Sequence, residues 1–235
     1  MILEAEAALL LAAAGLYLYD SALLLYRDEG VVSTAGRTRW TVRFGSGYQI
    51  RGRYLFIPSP LMPHRPIFRL VWKPETGVAA DRRWTERRRL FAPLVPLVWG
   101  MLVSMFVLLP MSLFLRLGDP MLLAAIALLY LNNLALLGWI ALKRMSFGLS
   151  SRRFAALAFE ALVCSPFALN LVRKISAEMA VDENLVDAAR RLQKAQDWDA
   201  SRRQIVARID EELDFAEEES RRAAALRRLK DELVR

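Results

Sequence analysis

The chain reads as a mainly α integral membrane protein: three transmembrane helices, a small antiparallel β module in the first cytoplasmic loop, and a helical cytoplasmic C-terminal tail. Three observations predict this. Residues 2–26, 90–115 and 121–142 are apolar blocks, each long enough for a bilayer core of ~30 Å, which needs about 20 apolar residues. Basic residues crowd between the first two blocks. Beyond residue 175 the sequence turns polar and helix-forming. Of the 235 residues, 55% are hydrophobic and 25% charged, and the two kinds are segregated rather than mixed, so the net charge of +8 describes no single region.

The first element, 1–26, resembles a signal peptide only in length. Glu4 and Glu6 stand where a basic n-region would, and no small-residue cleavage site follows, so a retained helix is expected. Segment 27–89 then holds 14 Lys and Arg against 5 Asp and Glu, a surplus of 9. Positive charge stays on the cytoplasmic side, so the N-terminus is expected outside and 27–89 inside. Asp20, near the inner end of the first span, is expected to reach the headgroups or pair with Arg27.

Within 27–89, residues Trp40, Val42 and Phe44 alternate with Arg39, Thr41 and Arg43. After Gly45-Ser46-Gly47, residues Tyr48, Ile50, Tyr54 and Phe56 alternate with Gln49, Arg51, Arg53 and Leu55. A period of two broken by glycine predicts a β-hairpin of 39–44 with 48–56. Residues 67–72 form a third strand and 31–34 a fourth, since two strands alone are marginal. The proline-rich stretch 58–66 is expected to be an irregular connection. Arg39, Arg43, Arg51 and Arg53 are expected to line one face of the sheet, where they would bind anionic phospholipid or a partner protein. A nucleic-acid partner is not expected, because no nucleic-acid motif accompanies the arginines. Asp81 is expected to cap a short helix, 82–89, leading into the second span.

The domain 90–142 is a helical hairpin. Arg116 to Pro120 is too short a link for anything but antiparallel neighbours, and Lys143-Arg144 marks the return to the cytoplasm. Pro93 and Pro96 fall in the opening turns, where a missing donor costs little. Pro110 lies deeper, where a kink is expected. Polar residues in hydrocarbon are functional candidates or helix-packing contacts, which singles out Asn132 and Asn133 beside Asp20. Segment 143–175 contains a short apolar run, 154–172, with arginines at both ends. It is expected to be an interfacial or re-entrant pair of helices bent at Ser165-Pro166; the alternative, a fourth span, would put the tail outside.

The tail, 176–235, carries 12 Lys and Arg against 15 Asp and Glu. An amphipathic helix is expected over 184–195, a break at 196–199 with Asp199 as N-cap, and one long helix over 201–235 reaching ~50 Å at 1.5 Å per residue. Pairs Glu217–Arg221 and Glu218–Arg222 would support its wet side. Ile205, Ile209, Leu213, Leu226 and Leu233 make a narrow stripe suited to a partner helix or self-association.

Chemistry is sparse. Cys164 is the single cysteine and His64 the single histidine, which leaves no disulfide and no metal-ligand set. No phosphate-binding loop, dinucleotide fingerprint or nucleophile elbow is present, so no cofactor is expected. The expected role is a non-enzymatic accessory or scaffold subunit of a bacterial-type inner membrane, working with other subunits or with copies of itself. One alternative is a homo-oligomeric transporter or channel component with the helix-three amides on its path. Another is a membrane enzyme acting on lipid through Glu160, His64 and the arginines.

Overall fold

The computed structural model describes residues 2–36, 39–73, 83–115, 117–215 and 220–234. It is mostly helical with small antiparallel sheets, and it divides into two compact units. Unit 1 is Met1–Ala22, Pro58–Pro66 and Arg83–Met179; unit 2 is Leu23–Ile57, Ile67–Arg82 and Ala180–Arg235.

Unit 1 is helical. Helix α1, Ile2–Ser21, is shorter than the apolar block that encodes it. Leu23–Leu25 leaves the helix as strand β1, because those leucines find cross-strand partners in unit 2. Among the described residues, two helices are long and apolar enough to cross a membrane: α2, Trp84–Phe114, and α3, Asp119–Leu142. Helix α1 is not among them, so the third expected span is not shown.

Helix α2 adapts to its prolines without ending. A 3-10 turn, Ala92–Leu94, sits between α-helical segments where Pro93 and Pro96 fall. A π-helical turn, Ser104–Leu108, immediately precedes Pro110. Such a widened turn is one way to relieve the contact between a proline ring and the preceding carbonyls. Gly118 opens α3 at φ 89°, a conformation that glycine adopts without strain. Arg116, in the link, lies outside the described residues, as does Asp81 before α2. Helices α2 and α3 approach closely at Gly100, where an added Cβ would lie 2.7 Å from Asn132 Oδ1.

Beyond α3, the expected bend is present. Helix α4, Ser151–Val163, takes its N-cap from Ser150 and stops at Cys164, which is extended at φ −132°, ψ 93°. Pro166, in the first turn of the next segment, has no N–H for the Leu162 carbonyl and its ring crowds that carbonyl, so the helix cannot run through. The chain resumes as α5, Ser165–Leu169, and α6, Leu171–Glu178, with a second break at Asn170.

Unit 2 corrects the strand pairing. Strand β2, Glu29–Ala35, is the centre of one sheet, with β3, Arg39–Arg43, and β6, Ile67–Val71, antiparallel on either side. Strand β5, Arg53–Phe56, is the centre of a second, between β1 and β4, Gln49–Ile50. Strands at 67–71 and 31–34 are therefore as expected. The hairpin of 39–44 with 48–56 is not: Val42 pairs with Val32, and Gln49 pairs with Tyr54. The turn at Arg51-Gly52, with φ of 52° and 74°, closes the second hairpin more tightly than Gly45-Ser46-Gly47 could. Gly45 instead carries the chain from one sheet to the other at φ 87°. The alternation itself is obeyed, since Val42 and Phe44 are buried while Arg39 and Arg43 are exposed.

Helix α7, Leu185–Leu192, is capped by the Asn184 side chain, which accepts from Val186 N at 3.1 Å. The break in the tail lies at the extended residues Gln193 and Lys194, before rather than within the Asp-Trp-Asp sequence. Helix α8, Ala195–Leu213, runs through that sequence, so Asp199 is not an N-cap; Asp197 lies in the first turn, where a carboxylate suits the helix dipole. Nor is there one long rod. Helix α9, Arg221–Val234, packs back on α8, held by Lys230–Asp210 at 2.6 Å and Arg222–Glu212 at 2.5 Å. Glu217 and Glu218, assigned to Arg221 and Arg222 by spacing, lie outside the described residues.

Gly30 on β2 sits under α7: a Cβ there would fall 2.6 Å from Leu185 Cδ2. Gly30→Ala is expected to destabilise unit 2 by about 1–3 kcal/mol, the usual cost of overpacking. Adding Leu185→Ala should recover part of the loss, as measured by thermal unfolding of the two variants in detergent.

Candidate functional site

Polar side chains converge in unit 1 where the end of α1, the 58–66 loop and the α4–α6 segment meet. Arg173 on α6 is 3% exposed. Its Nη2 donates to the Ser59 carbonyl at 2.6 Å and its Nη1 to Asn170 Oδ1 at 3.2 Å. Asn170 Nδ2 donates onward to the Tyr17 carbonyl at 3.0 Å and to Asp20 Oδ2 at 3.1 Å. The Tyr17 hydroxyl donates to the Pro60 carbonyl at 2.5 Å. Asp20 Oδ1 also meets Lys174 Nζ at 2.6 Å, and Lys174 reaches Glu160 Oε2 at 3.1 Å. Asp20 thus pairs with Lys174 and Asn170 instead of Arg27 or headgroups, because the α6 cation approaches it in the folded chain.

His64 stacks on Trp99 with ring centroids 5.5 Å apart. Its Nδ1 is buried without a partner. Burial first, then the charges of Arg65 and Arg173, hold the imidazole below its ordinary value of 6.5. That favours a neutral ring, and the base it could supply faces indole rather than a nucleophile. Among the described residues, no group of three or more His, Cys, Asp or Glu could hold a metal ion.

The two amides of α3 have structural partners. Asn133 is fully buried and donates to the Ala161 carbonyl at 2.8 Å. That carbonyl belongs to the last turn of α4, where intrahelical donors run out. Asn132 donates to the Leu128 carbonyl of its own helix at 2.7 Å and fills the space left by Gly100.

The four arginines assigned to one basic face are dispersed. Arg39 and Arg43 are on β3, whereas Arg51 is in the β4–β5 turn and Arg53 on β5. Arg39 is committed to Asp197, with Nε at 3.0 Å and Nη2 at 2.5 Å from the carboxylate oxygens. Arg53 lies over the Tyr26 ring at 4.2 Å. The cause is the strand pairing, which puts the two halves of the expected hairpin in different sheets.

The partner stripe of the tail is largely covered within the chain. Ile205, Ile209, Leu226 and Leu233 are buried, together with Ala223 and Leu229, and Leu213 is half-buried. Helix α9 is the partner that α8 was expected to find elsewhere.

Unit 2 also holds an arginine that spacing alone did not single out. Arg208 stacks over Tyr54, donates to the Phe44 carbonyl at 3.1 Å, and is pulled by burial to a pKa of about 10, with Glu211 opposing and Arg27 adding to the shift. The Tyr54 hydroxyl donates to Glu211. Beside these residues an open groove of about 630 Å³ runs along 41–46 and one side of α8. Arg173, Asn170 and Tyr17 were likewise missed. Their only sequence signal was Arg173-Lys174 at the end of an apolar run, which reads equally as a flank.

No known protein family, curated protein or solved structure matches this chain.

Arg173→Met removes the donor to Asn170 Oδ1 and the side-chain donor to the Ser59 carbonyl, which keeps only Met62 N, and is expected to lower the stability of unit 1 by about 1–3 kcal/mol; Lys230→Met, on an exposed pair in unit 2, serves as the comparison. A second outcome concerns pH. With the folded His64 below 6.5, the unfolded chain binds the proton more readily. The contribution of the neutral ring is complete above 6.5 and falls away as pH drops below it. His64→Phe, which keeps a ring against Trp99, should flatten the decline in melting temperature between about pH 7 and pH 5.

Proposed function

We propose that the protein is a non-enzymatic accessory or scaffold subunit of a bacterial-type inner membrane. In this reading α1, α2 and α3 are held in lipid with the N-terminus outside and unit 2 in the cytoplasm. The observation that carries it is how the polar groups near the apolar helices are used. Asn133, Asn132 and Asp20 each close an internal contact, whereas large apolar side chains such as Leu123, Leu131 and Leu134 face outward from α3. Apolar outward faces with polar groups turned to internal bonding suit lipid and neighbouring subunits. A transport path would instead draw on polar side chains left free to meet a solute.

Partner contact is assigned to the outward faces of the helices, since α8 and α9 cover one another. Basic residues on the cytoplasmic side, Arg43 among them, would add attraction to anionic phospholipid at about 1 kcal/mol for each residue at the surface. Purification in a mild detergent should yield a complex with stoichiometric partner proteins or a homo-oligomer. A monodisperse monomer without partners would sink the scaffold reading. Asn132→Leu combined with Asn133→Leu should lower the thermal midpoint of unit 1, with about 0.6–2 kcal/mol for each interhelical bond lost. Loss of solute flux in vesicles with an unchanged midpoint would favour the transport reading instead.

A further inference from the structure

Unit 2 is made of chain from both sides of the apolar helices. Leu23–Ile57 and Ile67–Arg82 fold together with Ala180–Arg235. The union is intimate: Leu185 lies against Gly30, Asn184 Nδ2 donates to the Lys73 carbonyl at 2.9 Å, and Arg39 pairs with Asp197. All these segments are therefore on one side of any membrane the chain crosses. Between residues 82 and 180 the number of crossings must be even. Helices α2 and α3 supply an outward and a return passage, so the α4–α6 segment cannot add a single crossing of its own.

Its internal geometry says where it goes. At the base of α4, Arg144 Nη1 donates to Ser151 Oγ at 2.8 Å, beside the charged end of α3. Further along, Asn133 Nδ2 meets the Ala161 carbonyl at 2.8 Å. From Lys143 back to Asn133 on α3, and from Ser151 forward to Ala161 on α4, the rise is equal, about 15 Å at 1.5 Å per residue. Helix α4 thus runs beside α3 from its charged end to its middle, then breaks at Cys164. The way back is tied to the way in: Arg153 Nε donates to Glu178 Oε2 at 2.9 Å, joining the start of α4 to the end of α6.

Polarity follows the same axis. Ser150, Ser151, Arg152 and Arg153 begin α4, whereas Phe159 and Val163 near its far end are 69% and 68% exposed. A surface helix on a water-soluble body would turn such side chains inward. The charged groups on the inner side are matched, Lys174 with Asp20 and Glu160, as ionisable residues at membrane depth require.

We infer that α4–α6 is a re-entrant helical hairpin whose apex, around 159–166, is immersed in the acyl chains of the leaflet on the side of unit 2. The apex reaches about half of a ~30 Å core before the chain returns to the side it left. The occupant of its outward ridge is lipid hydrocarbon. The inference rests on the membrane reading above, and its test separates the two.

The native Cys164 needs no substitution to carry an environment-sensitive thiol label. Val163→Cys, Arg152→Cys and Leu131→Cys are each made with Cys164→Ala. The labelled full-length chain is placed in phosphatidylcholine and phosphatidylglycerol vesicles that carry nitroxide either at the headgroup or at mid-chain. Label at Cys164 and at 163 is expected to lose more fluorescence to the mid-chain nitroxide, with the order reversed at 152. Stronger headgroup quenching at 163 would mean a helix lying on the surface. No quenching there would mean a second copy or a partner covers the ridge. Reaction of 163 with an impermeant maleimide from the side opposite unit 2 would mean a true span. Each of these overturns the hairpin, provided Leu131→Cys, 63% exposed on α3 in the parent chain, is quenched at mid-chain. Failure at position 131 as well would overturn the membrane reading itself.

Discussion

A carbonyl drawn out of water needs a donor, and unit 1 takes several of its donors from side chains distant in sequence. Residues 58–66 contain prolines at 58, 60, 63 and 66, each an acceptor without an N–H. Packed in unit 1, this loop bonds itself in part, with Met62 N donating to the Ser59 carbonyl and Arg65 N to the Met62 carbonyl. Further donors come from side chains far away in sequence: Arg173 to Ser59 and Tyr17 to Pro60. Asn170 then holds Arg173 and α1 together through its two ends. The same logic operates at Cys164, where Pro166 breaks the helix and Asn133 serves the Ala161 carbonyl. Residues that look like candidates for chemistry are used to close the backbone.

This economy explains why an arginine can be so deeply buried here. A lone guanidinium out of water is costly unless hydrogen bonds replace its hydration. Arg173 gains a carbonyl and an amide oxygen, and only its Nε lacks a partner. In unit 2, Arg208 reaches the same end differently, with a carbonyl, an aromatic face and a distant carboxylate. The basic loop and the acidic tail, with a surplus of 9 in one and a deficit of 3 in the other, meet at Arg39–Asp197. Part of the positive charge that set the expected sidedness is answered within the fold.

What was legible in the sequence depended on how local the determining force is. Length and hydropathy mark α2 and α3 without reference to any partner, and Pro166 marks the break at Cys164 through its missing N–H and the crowding of a carbonyl one turn back. Strand character at 39–43 was equally local, since alternation needs only a buried side. Pairing was not. Three glycine-bearing turns compete between residues 36 and 52, and the choice depends on whether Val32 or Tyr54 offers the better neighbour, a question of tertiary packing. The α8–α9 reversal was hidden for a related reason: both helices have good propensity, and a stripe that faces a sister helix looks the same as one that faces another protein. The polar cluster of unit 1 was the least legible, because its bonds join residues 114 and 153 positions apart.

The discontinuity of unit 2 constrains more than topology. Its sheets are made before the long helices in chain order, yet α7 covers β2 only after residue 184 has been made. Contacts of that separation form late, since closing a long loop costs entropy before any contact offsets it. Until then β2, β3 and β6 lack the helix that seats Leu185 against Gly30, and the apolar surface it covers stays in water. Unit 2 can therefore close only when the intervening helices have brought the tail back to the sheets.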